Sequence, residues 1–404
     1  MSNHLYDESI ALHKKLAGKL SVVPKIEVTD KSILSLVYTP GVAGVCNAIA
    51  ENPALAYDLT IKGNTVAVLS DGSAVLGLGN IGPEAALPVM EGKALLFKQF
   101  AGIDAFPICV NTQNTFEIIN LVRNIAPVFG GINLEDIAAP RCFEIEQALQ
   151  DIGIPVFHDD QHGTAIVLLA AMINASSLAG KSLQDLKVVV CGAGAAGTAI
   201  SELLLCIGYD PSMCQPVREI LVCDSRGILA RDRPDIQNSP FKMKLAAMTN
   251  RSGLTGTLAD AVRGADVFIG VSKGGLLTGE MVKTMAEKSI VLAMANPIPE
   301  IEPSLAYASG AFIVGTGRSD FPNQVNNLLA FPGVFRGALD ARAPRITNHM
   351  KICAAFALAR SVTEPRVDAI LPSPLDPRIV GIVAQAVAQA YVQDVNIGIH
   401  SKNK

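Results

Sequence analysis

Short hydrophobic runs alternate along the chain with longer stretches in which hydrophobic residues recur at helical spacing. Between residues 60 and 160 the short runs predict four strands, Thr65–Ser70, Ala105–Val110, Gly131–Leu134 and Ile154–Phe157. The stretches between them predict helices at Pro83–Phe100, Thr112–Ile125 and Cys142–Ile152. Strands that alternate with helices indicate an α/β domain with a largely parallel sheet.

A second set of strands and helices follows residue 160. A helix that begins near Gln161 is hydrophobic on nearly all sides, so we expect it to be buried. The predicted strands are Leu186–Cys191, Glu219–Cys223, Val267–Gly270, Ile290–Met294 and Phe312–Gly315. Helices are predicted at Thr198–Ile207 and over most of Pro344–Tyr391. We therefore predict two α/β domains, 1–160 and 161–404, the second doubly wound and ending in helices.

Composition restricts the class of protein. The 404 residues suffice for two domains, and half of the residues are hydrophobic. The net charge is −4 and the sequence has no basic stripe, which argues against nucleic acid as a partner. The N-terminus has no hydrophobic signal region, and no uncharged hydrophobic run reaches the roughly 18 residues that span a bilayer. Eight cysteines without a Cys-x-x-Cys pair predict free thiols. We expect a cytoplasmic protein that binds no membrane, and the 17% of charged residues favours a homodimer.

A glycine-rich turn connects the first strand of the second domain to its helix. Gly192, Gly194 and Gly197 have the spacing of a dinucleotide-binding turn, in which the phosphates lie at the N-terminus of the helix. Asp224, at the end of the next strand, is placed to accept a hydrogen bond from a ribose 2′-hydroxyl. This aspartate favours NAD, but Arg226 could offset its repulsion of a 2′-phosphate, so NADP stays possible.

Two pairs of acidic residues follow neighbouring predicted strands. Glu135-Asp136 comes after Gly131–Leu134, and Asp159-Asp160 comes after Ile154–Phe157. Either pair alone is typical of a solvated loop. Because parallel strands end at one edge of a sheet, the two pairs together favour a site for Mg²⁺ or Mn²⁺. His158 and His162 could be further ligands, although structural histidines are more common.

Two single residues have chemistry that suits proton transfer. Lys93 lies in a mainly hydrophobic helical stretch, where burial would lower its pKa toward that of a useful base. Tyr38 lies in a loop rich in proline and glycine. Taken alone, a surface lysine and a packing tyrosine are the more common interpretations.

With these residues in order, the chain resembles a malic enzyme of the short bacterial type over nearly its whole length. The segments that carry the resemblance are Tyr38–Ala43, Val75–Gly82, Met90–Lys93, Leu134–Asp136, Phe157–Thr164, Ala295–Pro297 and Gln324–Asn327. The resemblance implies an N-terminal domain that binds substrate and metal and a Rossmann-like domain that binds dinucleotide. It also implies oxidation and decarboxylation of L-malate to pyruvate and CO₂.

The family pattern assigns roles to individual residues. Tyr38 would be the general acid, Lys93 the general base, and Asp159 would support the lysine. The metal ligands would be Glu135, Asp136 and Asp160. The substrate would contact Lys93, Asn296, Asn326 and Asn327, and the dinucleotide would contact Gly192, Gly194, Ala195, Ala196, Gly197, Asp224 and Asn296. Long members of the family bind a substrate carboxylate with an arginine at the position that Ala74 occupies here.

Three other functions fit part of the pattern. A soluble oxaloacetate decarboxylase needs only the metal site, so an intact dinucleotide turn argues against it. A non-catalytic NAD sensor has no use for the paired acids. An amino-acid or folate dehydrogenase of similar build would not require four carboxylates of the kind that bind metal.

Overall fold

The computed structural model describes residues 2–75 and 77–402, which form two parallel sheets covered by helices. The first sheet has the order β2-β1-β3-β4 and the second the order β10-β9-β8-β5-β6-β7. The strands are β1 Thr65–Ser70, β2 Asp104–Cys109, β3 Gly131–Leu134, β4 Val156–His158, β5 Lys187–Cys191, β6 Glu219–Asp224, β7 Gly227–Ile228, β8 Val267–Gly270, β9 Ile290–Ala293 and β10 Ile313–Thr316.

Sixteen α-helices lie in the described part of the chain. Those up to the second sheet are α1 Ser2–Leu16, α2 Lys31–Val37, α3 Val42–Glu51, α4 Ala56–Leu59, α5 Pro83–Ala101, α6 Thr115–Ile125, α7 Arg141–Ala148 and α8 Asp159–Ala179. The others are α9 Ala195–Leu204, α10 Pro240–Met248, α11 Leu258–Val262, α12 Gly279–Lys283, α13 Pro303–Ala308, α14 Phe331–Asp340, α15 Asn348–Arg360 and α16 Arg378–Lys402.

The register of the first sheet brings the two acidic pairs together. Strands β3 and β4 are parallel neighbours, and Leu134 is paired with His158. Glu135 and Asp159 are therefore the first residues beyond two paired strand ends. This placement agrees with the prediction that the pairs meet at one edge of the sheet.

The second sheet is doubly wound around β5. Strand β6 pairs with one side of β5 and β8 with the other, both in parallel. The chain thus reverses its direction of winding at β5, and the crevice at such a switch point is where open α/β sheets bind ligands. The glycine turn begins at Gly192, directly after β5.

Hydrophobic helices join the two sheets into one core. Helix α8 is buried along most of its length, as its uniformly hydrophobic sequence predicts. Helix α14 packs back onto α5, where the ring of Phe97 lies 4.7 Å from that of Phe331 and 5.3 Å from that of Phe335. The C-terminal helices therefore fix the position of α5, which carries Lys93.

The structure differs from the predictions in several places. The sequence analysis missed the two-residue antiparallel strand β7 and helix α14, and the C-terminal helices are interrupted between 361 and 377. The prediction that the cysteines are free was wrong for Cys206 and Cys214, which form a disulfide across eight residues after α9. The other six cysteines are free thiols.

Two helical stretches are long and hydrophobic enough to span a membrane by length and composition alone. Asp159–Ala179 is α8, and 72% of its hydrophobic window is buried in the protein, as expected of a core helix. Lys31–Glu51 comprises α2 and α3, which bury no residue within the chain. Two such stretches are weak grounds for a membrane span.

Candidate active site

A cavity of about 740 Å³ lies where the C-terminal ends of the two sheets face each other. The residues predicted from sequence that line it are Lys93, Glu135, Asp136, Asp160, Gly194, Ala195, Ala196, Asn296, Asn326 and Asn327. The sequence analysis did not single out Thr164, Ser272 and Phe331, which also line it. One cavity therefore combines the acidic cluster with the glycine turn.

Three carboxylates at the edge of the first sheet form a cluster that fits a divalent cation. Glu135, Asp136 and Asp160 each offer an oxygen, and these oxygens lie within 4.8 Å of one another. The backbone N–H of Asp136 donates to Asp160 Oδ2 at 2.8 Å, which fixes that carboxylate. Burial raises the pKa of Glu135 and of Asp160. The set contains only hard oxygen donors, the ligands that Mg²⁺ and Mn²⁺ prefer.

Lys93 lies beside this cluster as a buried cation. Its Nζ is 2.6 Å from Asp159 Oδ2 and 2.8 Å from Glu135 Oε1, and it lies 4.3 Å from the ring centroid of Phe331. Burial acts to lower its pKa, but Asp159, Glu135 and Asp160 outweigh burial and raise the pKa above the ordinary value. The prediction that burial would lower the pKa of Lys93 was therefore wrong, because it left out the neighbouring carboxylates.

Glu146, which the sequence analysis did not consider, holds the beginning of α8. Its carboxylate accepts hydrogen bonds from the backbone N–H of His158 at 3.0 Å and from Gln161 Nε2 at 3.5 Å, and it pairs with His162 Nε2 at 2.9 Å. Lys351 Nζ lies 3.2 Å from the other ring nitrogen of His162. The side chain of His162 thus faces Glu146 and is outside the acidic cluster. The signal in the sequence was weak, since Glu146 lies on an ordinary amphipathic helix.

The glycine turn has the backbone geometry that a bound phosphate needs. Gly192 has a φ of 131°, and a Cβ there would lie 2.6 Å from the carbonyl oxygen of Val271. A Cβ on Gly197 would lie 1.8 Å from the carbonyl oxygen of Gly192, so only glycine fits. Gly194 has open space beside it and precedes the first turn of α9 without a side-chain cap. The N–H groups of this turn are thus available for an anion.

Asp224 ends β6 as predicted, but its carboxylate is already engaged. Arg233 donates to both of its oxygens, at 2.9 and 2.6 Å, and Lys242 donates to Oδ2 at 2.7 Å. Burial acts to raise the pKa of Asp224, but these hydrogen bonds lower it to about 2. Arg226, which we expected to offset the charge, pairs through its side chain with Asp235 at 3.4 Å. Two cations that the sequence analysis missed therefore surround the predicted ribose acceptor.

Tyr38 is a predicted site residue that does not line the cavity. Its relative exposure is 67%, and it is not among the residues that line the cavity. It follows α2 and precedes α3, and both helices lie on the surface of the chain. Within a single copy of the chain, Tyr38 thus lies outside the cavity.

Comparison with known proteins identifies both halves of the chain. The family described as malic enzyme, N-terminal domain matches residues 17–118, and the family described as malic enzyme, NAD binding domain matches residues 161–392. The chain is 55% identical over 392 residues to the bifunctional malic/malolactic enzyme of Bacillus subtilis, covering 96% of this chain and 93% of that one. It is 55% identical over 387 residues to the NAD-dependent malic enzyme of Geobacillus stearothermophilus, covering 95% and 78%.

A solved structure agrees with these sequence matches. The crystal structure of the NAD-dependent malic enzyme of Thermotoga maritima superposes with a TM-score of 0.89 at 50% identity, covering 94% of this chain and 98% of that one. The two family matches together span most of the chain. The close relatives and the shared fold indicate the same family, and the arrangement of acids and glycines at the cavity agrees with it. The chain belongs to the malic enzyme family.

Proposed function

We propose that the chain catalyses the oxidative decarboxylation of L-malate to pyruvate and CO₂ with reduction of NAD(P), in a reaction that requires a divalent metal ion. The observation that carries the proposal is that one cavity contains Lys93, the acidic cluster and the turn that begins at Gly192. Relatives with 55% identity bear the name malic enzyme. Oxaloacetate decarboxylation without hydride transfer is not favoured, since it would leave the dinucleotide turn without a use.

The proton transfers are assigned to Lys93 and Tyr38. Lys93 accepts the hydroxyl proton of malate at Nζ, and Asp159 holds that nitrogen at 2.6 Å so that it faces the substrate. After CO₂ leaves, Tyr38 protonates the methylene carbon of the resulting enolate, which gives pyruvate. General acids and bases of this kind contribute about 10²–10⁴-fold to rate. Asn296, Asn326 and Asn327 orient the substrate through their amides.

The metal and the dinucleotide supply the remaining chemistry. A cation held by Glu135, Asp136 and Asp160 would offset the carboxylates that keep Lys93 protonated and would polarise the oxygen atoms of the substrate. The dinucleotide, held at its phosphates by the turn from Gly192 to Gly197, would accept the hydride. Mg²⁺ and Mn²⁺ both fit an oxygen-only set of ligands.

We propose NAD as the preferred dinucleotide, with NADP as a possible second cofactor. Asp224 ends β6, beside the strand that leads into the glycine turn, and an acid at this place is typical of proteins that bind NAD. Arg233 and Lys242 neutralise that carboxylate, and this weakens the repulsion of a 2′-phosphate. We therefore expect the preference for NAD over NADP to be moderate rather than absolute.

We also propose that the protein is a homodimer in which Tyr38 acts on the cavity of the second copy. Helices α2 and α3 bury no residue within the chain, and Leu36 and Tyr38 are 71% and 67% exposed. A second copy would cover this hydrophobic face. Tyr38 can reach a reacting carbon only if this face lies against a cavity.

We further propose a cytoplasmic location, which six free cysteines support. We also propose a division of the chain into domains 1–160 and 161–404.

One experiment tests the reaction. Purified protein is mixed with L-malate and Mn²⁺ and with NAD or NADP in parallel, nicotinamide absorbance is followed, and pyruvate is measured separately. We expect equal amounts of reduced cofactor and pyruvate, with a higher kcat/KM for NAD. Pyruvate formed from oxaloacetate without any reduction of cofactor from malate would contradict the proposal.

Mixing two inactive variants tests the contribution of Tyr38 across the dimer. K93A and Y38F are purified separately, mixed, unfolded partially and reassembled. A mixed dimer would contain one cavity with both the base and the acid, so activity should return to part of the wild-type level. No recovery, with mixed dimers shown to form, would place both residues in the same copy.

A second candidate activity is the redox-neutral conversion of malate to lactate and CO₂. The Bacillus subtilis relative is named as a bifunctional malic/malolactic enzyme and is 55% identical. In such a reaction a dinucleotide held by the turn from Gly192 to Gly197 would take a hydride from malate and supply it to pyruvate, so that the cofactor would undergo no net reduction. Lactate formed from malate with only catalytic amounts of NAD would support this activity.

A further inference from the structure

A wholly buried glutamate lies beneath the dinucleotide half of the cavity. Glu300 has no exposed surface, and its side chain extends between the ends of β8 and β9. Oε1 accepts a hydrogen bond from the backbone N–H of Ser272 at 3.0 Å, and Oε2 accepts one from that of Ala295 at 3.0 Å. One carboxylate therefore joins the loop that follows β8 to the loop that follows β9.

The packing around this carboxylate leaves no room for another arrangement. A Cβ on Gly270, the last residue of β8, would lie 2.2 Å from the carboxyl carbon of Glu300. The backbone carbonyl of Glu300 accepts from the N–H of Leu277, and that of Pro299 accepts from Gly275, both at 3.0 Å. The two loops are thus connected by backbone as well as by this side chain.

No cation of the described chain forms an ion pair with Glu300, and burial raises its pKa. A buried carboxylate without a cationic partner is costly, and a hydrophobic residue would fill this space at a lower cost. The cost is offset by backbone N–H groups, those of Ser272 and Ala295 and that of Glu300 itself. Ser272 and Ala295 both line the cavity.

We infer that Glu300 is a positioning residue for the dinucleotide: it fixes the loops after β8 and β9 as one surface beside the glycine turn. The inference rests on the proposed function, in that the cofactor must lie along the C-terminal ends of β5, β8 and β9. Val271, between the strand and Ser272, already meets the turn, since its carbonyl oxygen lies where a side chain on Gly192 would be. A shift of the loop after β8 therefore changes the floor of the cofactor site.

The test is the isosteric variant E300Q together with E300A. A glutamine can accept from only one of the two backbone N–H groups, because its amide nitrogen faces the other as a second donor. We expect E300Q to raise the Kd for NADH and the KM for NAD by about tenfold, the loss expected when one buried N–H is left without an acceptor. At saturating NAD, kcat should stay within about threefold of wild type, since the metal cluster and Lys93 are untouched. E300A, which removes both acceptors, should bind NADH more weakly than E300Q.

Asp266 provides a matched control at the opposite end of β8. Its carboxylate also accepts a backbone N–H, from Lys187 at 2.8 Å, and it pairs with Lys181 at 2.7 Å. D266N should therefore lower the melting temperature while leaving the Kd for NADH unchanged. The affinity of each variant for Mn²⁺, measured by calorimetry, should equal that of wild type.

A wild-type Kd for NADH in E300Q would overturn the inference. If E300Q then loses stability as D266N does, Glu300 has a structural role alone. If E300Q instead binds NAD⁺ more weakly while its affinity for NADH is unchanged, the effect belongs to the charge of Glu300. If wild-type protein binds neither NADH nor NADPH, it is the proposed function that fails, before the variants are compared.

Discussion

Replacing Asp136 with asparagine should change the stability of the protein in opposite directions with and without metal. Asp136 is one of three carboxylates whose oxygens lie within 4.8 Å of one another, and it is only 5% exposed. Its φ of 54° lies in the left-handed region, which asparagine adopts at least as readily as aspartate. D136N therefore removes a negative charge with little change of shape and without backbone strain.

The expected size follows from the geometry of the cluster. Two unit charges 4.8 Å apart repel by about 3.5 kcal/mol at an effective dielectric constant of about 20, and Asp136 has two such neighbours. Lys93 and the other groups that interact with Asp136 offset part of this repulsion. We expect D136N to be more stable than wild type by about 1–2 kcal/mol in chelator, which corresponds to roughly 1–2 °C in Tm for a chain of 404 residues.

Metal should reverse the order. Wild-type protein gains about 2.7 kcal/mol when the free cation is at 100 times its Kd. D136N has lost one of three charged ligands, and a Kd raised about 100-fold would leave it a gain of only about 0.4 kcal/mol, so wild type would become the more stable protein. The assay is thermal unfolding of both proteins in EDTA and in Mn²⁺, with D151N as a control, since Asp151 is an exposed aspartate paired with Arg123. A D136N protein that is less stable than wild type in EDTA would refute the electrostatic reasoning. An unchanged response to Mn²⁺ would refute the ligand assignment.

Three other substitutions test separate parts of the site. K93A should lower malate oxidation by about 10²–10⁴-fold while NADH binding, measured by fluorescence, stays normal. Y38F should lower solvent deuterium exchange into the methyl group of pyruvate with bound metal and cofactor unchanged, and wild-type exchange would exclude Tyr38 as the acid. D224A should raise the KM for NAD and reduce discrimination against NADP, because Arg233 and Lys242 lose their partner and can pair with the 2′-phosphate of NADP. Steady-state kinetics with both cofactors measure this change. Since the pKa of Asp224 is lowered to about 2, its contribution to stability exists above pH 3.8 and is lost as the pH falls toward 2, so wild type and D224A should approach each other in acid unfolding.

The positions of strand ends could be predicted from the sequence because periodicity and topology determine them. The pattern of hydrophobic residues located β3 and β4 to within two residues, and parallel pairing then required Glu135 and Asp159 to lie next to each other, directly after the two strands. The glycine spacing predicted the turn after β5 because the close approach at Gly197 is local, to the carbonyl oxygen of Gly192. The approach of Gly192 to Val271, in the loop after β8, could not be predicted from local sequence.

The charge state of the site could not be predicted in this way. Lys93 and Asp159 are 66 positions apart, and their contact exists only because α5 packs against the edge of the first sheet. A prediction from local composition included burial, which lowers the pKa of a lysine, and left out the carboxylates, which raise it. Asp224 shows the same limit, since Lys242 reaches it across 18 positions from the next helix.

Tyr38 marks a different limit, because its surroundings are incomplete in one copy of the chain. Local sequence indicated a loop, and the structure places it between α2 and α3 on an exposed face. No pattern within one chain specifies what covers such a face. In the proposed homodimer the acid would therefore depend on assembly, whereas the base would depend only on the fold of one copy.

The buried carboxylates around the cavity differ in which groups offset their negative charge, and this difference indicates their roles. Asp159 is paired with a lysine and Glu300 with two backbone N–H groups, so both are compensated within the chain. Glu146 is compensated by hydrogen bonds at the beginning of α8. Glu135, Asp136 and Asp160 differ from these acids, because they bring three carboxylate oxygens within 4.8 Å of one another beside Lys93. Converging oxygen ligands are what a divalent cation binds, and this convergence is why we propose the cluster rather than the other acids as the metal site.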